Sequence, residues 1–365
     1  MKKEQLMIVD GHVHIHPSFD IQKMLDFAIA NFRRLGCEDA AYFIALSESC
    51  GQNYFAALRQ QSESNRLELG SWRFFLTEDP DALLAKKLDE KVDDKKANST
   101  KTNSTKLNST EASSTEASST KVNSTKVNST KTNSKKTAGK NEAGKSRSAI
   151  YILAGRQIVT KEDLEVLALA TDSCFEEGQP LEKTIQAVLK KGGIPVVPWG
   201  FGKWIGTRGR HLQRLVKSAP MGLFFADSSS RPTFWSEPLL FDRARRNGLA
   251  ILSGTDPFPL KSEVNRVGLA GFKIAGILDD ARPATSLRQA LLSASRALRG
   301  SLNNQDLNNE DLNSEDLNAE ERDEPLNSLA AVHPLPSVYG PLETPYRCFK
   351  NQLAMQFVKR FRSHA

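Results

Sequence analysis

Four cysteines in 365 residues are too few and too far apart for a disulfide framework. Cys37, Cys50, Cys174 and Cys348 form no C-x-x-C pair, so a zinc ribbon is excluded as well. Free thiols in a reducing compartment are the simple reading. Long hydrophobic runs are missing too: no stretch approaches the roughly 18 apolar residues of a membrane span. The segment Leu6–Val9, behind the charged start Met1-Lys2-Lys3-Glu4, is too short for a signal peptide. These absences predict a cytoplasmic chain without a membrane partner. Charge of one sign is not in great excess either. The formal net of +7 is modest, so no nucleic-acid partner is expected, although small anions are favoured as ligands.

Aromatic and large apolar side chains are nearly absent from two stretches, apart from spaced leucines in the second. Residues 86–148 hold 15 Lys or Arg against 7 Asp or Glu, and residues 301–328 hold 1 Arg against 9 acids. Their charges cancel. Both contain five-residue repeats, NSTKT-NSTKL-NSTEA in the first and NNQDL-NNEDL-NSEDL in the second. A period of five builds neither a helix stripe nor a strand face. Without an apolar face, burial cannot offset ordering entropy. Two disordered inserts are expected, with at most a short helix in the acidic one. They divide the chain into 1–85, 149–300 and a C-terminal helix within 329–365. The remainder, roughly 270 residues, suits one β/α barrel.

Outside the inserts, short apolar runs alternate with helical periodicity. Strands are expected near residues 6, 40, 72, 150, 194, 222 and 249. Helices fall near 21–35, 54–61, 181–191, 210–217 and 238–247, and Lys161-Glu162-Asp163 marks a hairpin turn. Alternating β and α elements with buried strands predict a parallel sheet closed as a seven-stranded β/α barrel, a distorted TIM type. The runner-up is an open doubly wound sheet, but no G-x-G-x-x-G follows the first strand.

Histidine is scarce, yet three of six fall within Asp10-Gly11-His12-Val13-His14-Ile15-His16-Pro17. On a strand, residues two apart share a face, so Asp10, His12, His14 and His16 are expected on one side. Two imidazoles at that spacing suit a divalent transition metal. Ser253-Gly254-Thr255-Asp256 follows the last strand, which places a carboxylate where it can meet the first. His12, His14 and Asp256 are the expected ligands of one divalent ion (zinc, manganese or iron), with His16 as a further candidate. Asp256 and Glu48 are the candidate catalytic carboxylates. Lys203, Arg208 and Arg231, in loops after the fifth and sixth strands, are candidates for binding an anionic substrate.

The chain resembles the polymerase-and-histidinol-phosphatase superfamily over residues 6–76 and 150–258. The resemblance rests on Asp10-Gly11-His12-Val13-His14, on Gly155-Arg156-Gln157-Ile158 with the strand after it, on Gly192-Gly193-Ile194-Pro195-Val196-Val197, and on Gly248-Leu249 through Asp256. It implies a seven-stranded barrel, up to three metals and phosphoester hydrolysis. The departures are specific. Ser47-Glu48-Ser49 stands where the family has an Asp-His pair, Gln157 where it has a bridging Glu, Pro198-Trp199 where a strand ends in His, and Phe258 where Asp-x-His ends. A neutral amide removes the charge that balances two cations, so a single-metal site is expected.

Three functions follow. The first is a metal-dependent hydrolase that uses a metal-activated water on a phosphoester or other small anion. The second is a catalytically degenerate binding or regulatory module. The third, a one-metal amidohydrolase-like enzyme, lacks the further histidines on middle strands that such chemistry uses.

Overall fold

A computed structural model describes residues 4–34, 39–49, 51–88, 148–200, 202–228, 231, 236–310 and 333–334. Nearly all of the expected insert 86–148, residues 311–328 of the second, and all but two residues of the expected C-terminal helical segment lie outside the described residues.

The elements run β1 (Glu4–Val13), α1 (Ile21–Arg33), β2 (Ala41–Leu46), α2 (Tyr54–Asn65), β3 (Glu68–Leu69), β4 (Trp72–Leu76), β5 (Ala82–Lys87) and β6 (Ala149–Leu153). Then come β7 (Gly155–Val159), β8 (Glu165–Leu169), α3 (Leu181–Lys190), β9 (Ile194–Pro198), α4 (Gly206–Ser218), β10 (Phe224–Ser228), α5 (Leu239–Arg246) and β11 (Ile251–Gly254). A 3-10 turn (Lys261–Arg266), β12 (Phe272–Ile277), α6 (Pro283–Glu310) and β13 (His333–Pro334) end the described chain. All seven expected strands exist. So does the hairpin at 161–163, where β7 and β8 pair antiparallel. The helix α6 continues into the acidic repeat as far as Glu310, because extending a formed helix is far cheaper than starting one.

The strands do not form the expected seven-stranded barrel. They pair in two mixed sheets, neither of which closes on itself. One has the order β13-β12-β1-β2-β6-β5-β4-β3 and the other β11-β10-β9-β8-β7. Connection lengths explain the difference. Residues 77–81 join β4 to β5, and 160–164 join β7 to β8. A parallel crossover needs about a dozen residues or more. Both pairs are therefore antiparallel. The strand expected as a barrel stave at 72–76 becomes part of an antiparallel extension, and β12 occupies the other side of β1, also antiparallel.

Within each sheet, alternation sorts side chains to two faces. Met7, Val9, Phe43, Tyr151, Leu167, Val196, Phe224, Leu252, Phe272 and Ile274 share one buried core with Leu287 and Leu291 of α6. The intervening residues Ile8, Tyr42, Ile44 and Ile152 pack with Met24, Leu25, Ala28 and Phe32 of α1. Val166, Val197, Phe225 and Ile251 pack with Ile185 and Val188 of α3, Leu212 and Leu215 of α4, and Phe241 of α5. The central strands are thus buried on both faces, which is why they read as unbroken apolar runs. The helix α1 starts at Asp20, whose side chain accepts from Lys23 N at 3.1 Å. Among the described residues, no helix is long and apolar enough to cross a membrane.

The sheets touch at two glycine seams. The chain passes from β6 to β7 through Ala154 alone, and a Cβ on Gly155 would stand 2.0 Å from the Leu46 carbonyl oxygen. At the other seam, a Cβ on Gly254 would stand 2.4 Å from His12 N. Only glycine permits backbones this close. Single bonds cross the seams. Asp256 N donates to His12 O at 2.7 Å, Glu48 N to Gly155 O at 3.0 Å, and Gln157 N to Glu48 O at 2.9 Å.

The ends of the first insert are neighbours, since Lys87 N donates to Ser148 O at 2.7 Å beside the antiparallel β5–β6 ladder. Replacing residues 89–147 with a short hairpin turn should therefore leave the sheet intact. Loop closure then favours the shortened chain by about 2 kcal/mol. Urea unfolding of the two chains checks this, and a clear loss of stability on deletion would show that the segment packs.

Candidate metal centre

The ladder between β1 and β2 shifts register between Asp10 and Val13. Val13 and Ile15 turn into the core under α1. The shift breaks the expected single face. Asp10, fully buried, accepts from Thr255 N at 2.9 Å, Thr255 Oγ1 at 2.6 Å, Gly268 N at 2.9 Å and His12 N at 3.4 Å. Burial pushes its carboxyl up to about 6, against the pull of all four hydrogen bonds, so it is ionised at neutral pH.

His12 and His14 converge on Asp256. Their Nε2 atoms lie 3.0 Å apart, and the Asp256 Oδ1 atom is 3.6 Å from His12 Nε2 and 3.7 Å from His14 Nε2. Among the described residues these three form the group able to share one ion. The fit is close. A circle through the three atoms has a radius of about 2.0 Å, so an ion near its centre would meet all three at zinc-type bond lengths. Asp256 reaches this position through a backbone φ of 45°, in the left-handed region that Asp tolerates better than most residues. Ser228 Oγ donates to Asp256 Oδ2 at 3.3 Å.

The protonation states suit a cation. Burial first, and then the neighbouring His12, push the His14 imidazole down to about 3, which keeps it in the neutral, ligating form. Burial would raise the Asp256 carboxyl. His12, His14, the Ser228 hydroxyl and Arg266 outweigh that and hold it below the ordinary carboxylate range.

The remaining candidates lie elsewhere or are committed. His16 Nε2 sits 2.9 Å from Pro257 O, outside the triangle. Glu48 is buried, with Oε1 accepting from Phe55 N at the start of α2 and Oε2 paired with Arg156, each near 2.9 Å. Burial raises its pKa, with those same partners opposing. Glu48 thus anchors α2 and β7 and is not one of the three converging ligands. Lys203 pairs with Glu165 and Arg208 with Asp163, both at the β7–β8 hairpin. Arg231 makes a forked contact with Asp227, the residue before Ser228.

Sequence reasoning missed the roles of Ser228, Asp10 and Gln157. Gln157 Oε1 lies 3.3 Å from His12 Nε2. The legible signal for Asp10 was its place at the head of the histidine motif. Nothing in the sequence pointed to Ser228.

No protein family and no curated protein matches the sequence. Among solved structures, the crystal structure of PsfC from Pseudomonas syringae PB-5123 aligns with a TM-score of 0.41 and 14% identity, over 82% of this chain and 99% of that one. A likeness that low carries no argument about this chain.

The His14 shift has a measurable consequence. In the unfolded chain the imidazole takes a proton near pH 6.5, and in the folded one only near 3. The folded pKa is depressed, so stability is lost as pH falls below 6.5, by about 1.4 kcal/mol per pH unit once well below it. His14→Gln lacks this loss. The stability advantage of the native chain over the variant should therefore shrink from pH 7 to 4.5. A constant difference over that range would show that His14 protonates freely in the folded protein.

Proposed function

We propose that the protein is a hydrolase dependent on one divalent metal, acting on a phosphoester or another small anionic substrate in the cytoplasm. The observation that carries this reading is the convergence of His12 of β1 and His14 just past its end with Asp256 of the turn after β11 into a triangle of ion-binding size. When bound, a zinc, manganese or iron ion supplies Lewis-acid activation of water and of the scissile group.

The chain's own residues do the rest. His14 presents a neutral nitrogen, His12 a second imidazole nitrogen beside it, and the carboxylate of Asp256 gives the donor set one negative charge. Ser228 donates to the second oxygen of Asp256 and so orients the carboxylate with its first oxygen towards His12 and His14; with the first oxygen as ligand, the second would be the one to take a proton. Asp10 fixes the loop from which Asp256 projects. Arg231 lies nearest in sequence to this machinery, and its fork to Asp227 must open, or be shared, for it to meet an anion. Lys203 and Arg208 are similarly paired and would have to exchange Glu165 and Asp163 for substrate.

That pairing supports a second reading, a binding or regulatory module without catalysis. The three cations chosen for anion recognition are internally neutralised, and Glu48 is spent on Arg156 and α2. Asp256 would then have to be both ligand and base.

Metal-stripped protein should take up about one zinc or manganese per chain. His14→Ala and Asp256→Asn should abolish that uptake. Asn keeps the left-handed backbone accessible, so Asp256→Asn tests the ligand and not the turn. Hydrolysis of p-nitrophenyl phosphate and bis-p-nitrophenyl phosphate should disappear with the metal. Uptake of one ion with no turnover on any phosphoester panel supports the module. Absence of uptake, with no thermal shift on adding metal, removes the hydrolase reading and favours the module.

A further inference from the structure

Gln157 stands on β7, opposite Leu167 of β8, with its backbone fixed by the bond from its N to Glu48 O at 2.9 Å. Its side-chain oxygen lies 3.3 Å from His12 Nε2, and the same side chain is hydrogen-bonded to His14. His12 Nε2 therefore has three polar neighbours at comparable range: His14 Nε2 at 3.0 Å, Gln157 Oε1 at 3.3 Å and Asp256 Oδ1 at 3.6 Å. The edge of a regular tetrahedron of ligands about a zinc-type ion is about 3.4 Å. The measured separations, with His14 to Asp256 at 3.7 Å, bracket that edge. The circle through His12 Nε2, His14 Nε2 and Asp256 Oδ1 also has the radius of a tetrahedral face, and Gln157 borders two of its three corners, His12 and His14.

We propose that the Gln157 side-chain oxygen is the fourth donor of the centre, completing a tetrahedral set of two nitrogens and two oxygens around one divalent cation. This rests on the metal reading above and extends it. The donor set carries a single negative charge, that of Asp256, so the loaded centre keeps one positive charge. A neutral amide oxygen is the weakest of the four ligands. It is the one that an incoming anionic oxygen displaces, which makes Gln157 a closing ligand at rest and a yielding one when substrate arrives. The substrate class that follows is a small anion with an exposed oxygen, such as a phosphate ester or a carboxylate.

Calorimetric titration of metal-stripped protein with zinc, in the native chain, Gln157→Ala and Gln157→Glu, tests the assignment without any activity assay. Metal-free melts of each variant establish that it is folded. Native protein should bind one ion. Gln157→Ala should bind it more weakly by about ten- to a hundredfold. Gln157→Glu keeps the volume and adds ligand charge, and should bind at least about tenfold more tightly. Inorganic phosphate should then bind the zinc-loaded native protein and be weakened in Gln157→Glu, where the added carboxylate cancels the residual positive charge. Zinc affinity unchanged in Gln157→Ala overturns the fourth-donor role while leaving the three-ligand site standing. Equal losses in both variants mark a packing role and overturn it too. No zinc uptake by the native chain overturns the metal reading itself, and this inference with it.

Discussion

The buried carboxylate of Asp10 is the tie on which the rest of the centre depends. It receives two bonds from Thr255, one from the amide of Gly268 and a longer one from His12. Those donors belong to the strand β1, to the turn after β11, and to the residues that lead into β12. Removing the carboxylate leaves buried N–H and O–H groups without acceptors, at about 1–3 kcal/mol each. It also frees the turn that aims Asp256. Burial makes the ionised form costly, and the four donors are what recover it. Asp10 is thus a positioning residue: it touches no ligand atom, yet it sets where one of them lies.

The same economy of backbone contact holds the histidines. Asp256 reaches His12 twice, once by its amide to the His12 carbonyl and once across space to the imidazole. The first contact is possible because Gly254 has no Cβ to push β1 away. At the other seam, Gly155 lets β7 approach β2, which brings Gln157 beside His12. The ligand geometry is therefore a product of two close backbone approaches and does not rely on flexible side chains finding one another.

Much of this was legible in the sequence, and the limits have physical causes. Strands buried on both faces announce themselves as apolar runs, and His-x-His with a late Asp marks the three residues that converge into a candidate metal site. Which strands pair is a different matter. Periodicity marks an element but not its neighbour, and the informative feature was the short link Thr77–Asp81, which forces β4 and β5 antiparallel. The strands Ala82–Lys87 and Phe272–Ile277 lack a distinctive pattern, yet they decide the sheet order. For the cations, sequence shows charge but not partner. Lys203 meets Glu165 across 38 positions and Arg208 meets Asp163 across 45. A one-residue register shift after Asp10 separated it from the face that strict alternation assigned to it.

The hydrogen bond between Lys87 and Ser148 has a bearing on inheritance as well as on folding. The insert is written in units of five residues, so each gain or loss of a unit preserves the reading frame. Its two ends meet where the flanking strands β5 and β6 are already joined. Changes in unit number at that place are invisible to the ladder on either side. A change in length between residues 88 and 148 alters the separation of His12 and Gln157 along the chain, while the ladder that joins β5 to β6 keeps the two ends together in the folded molecule.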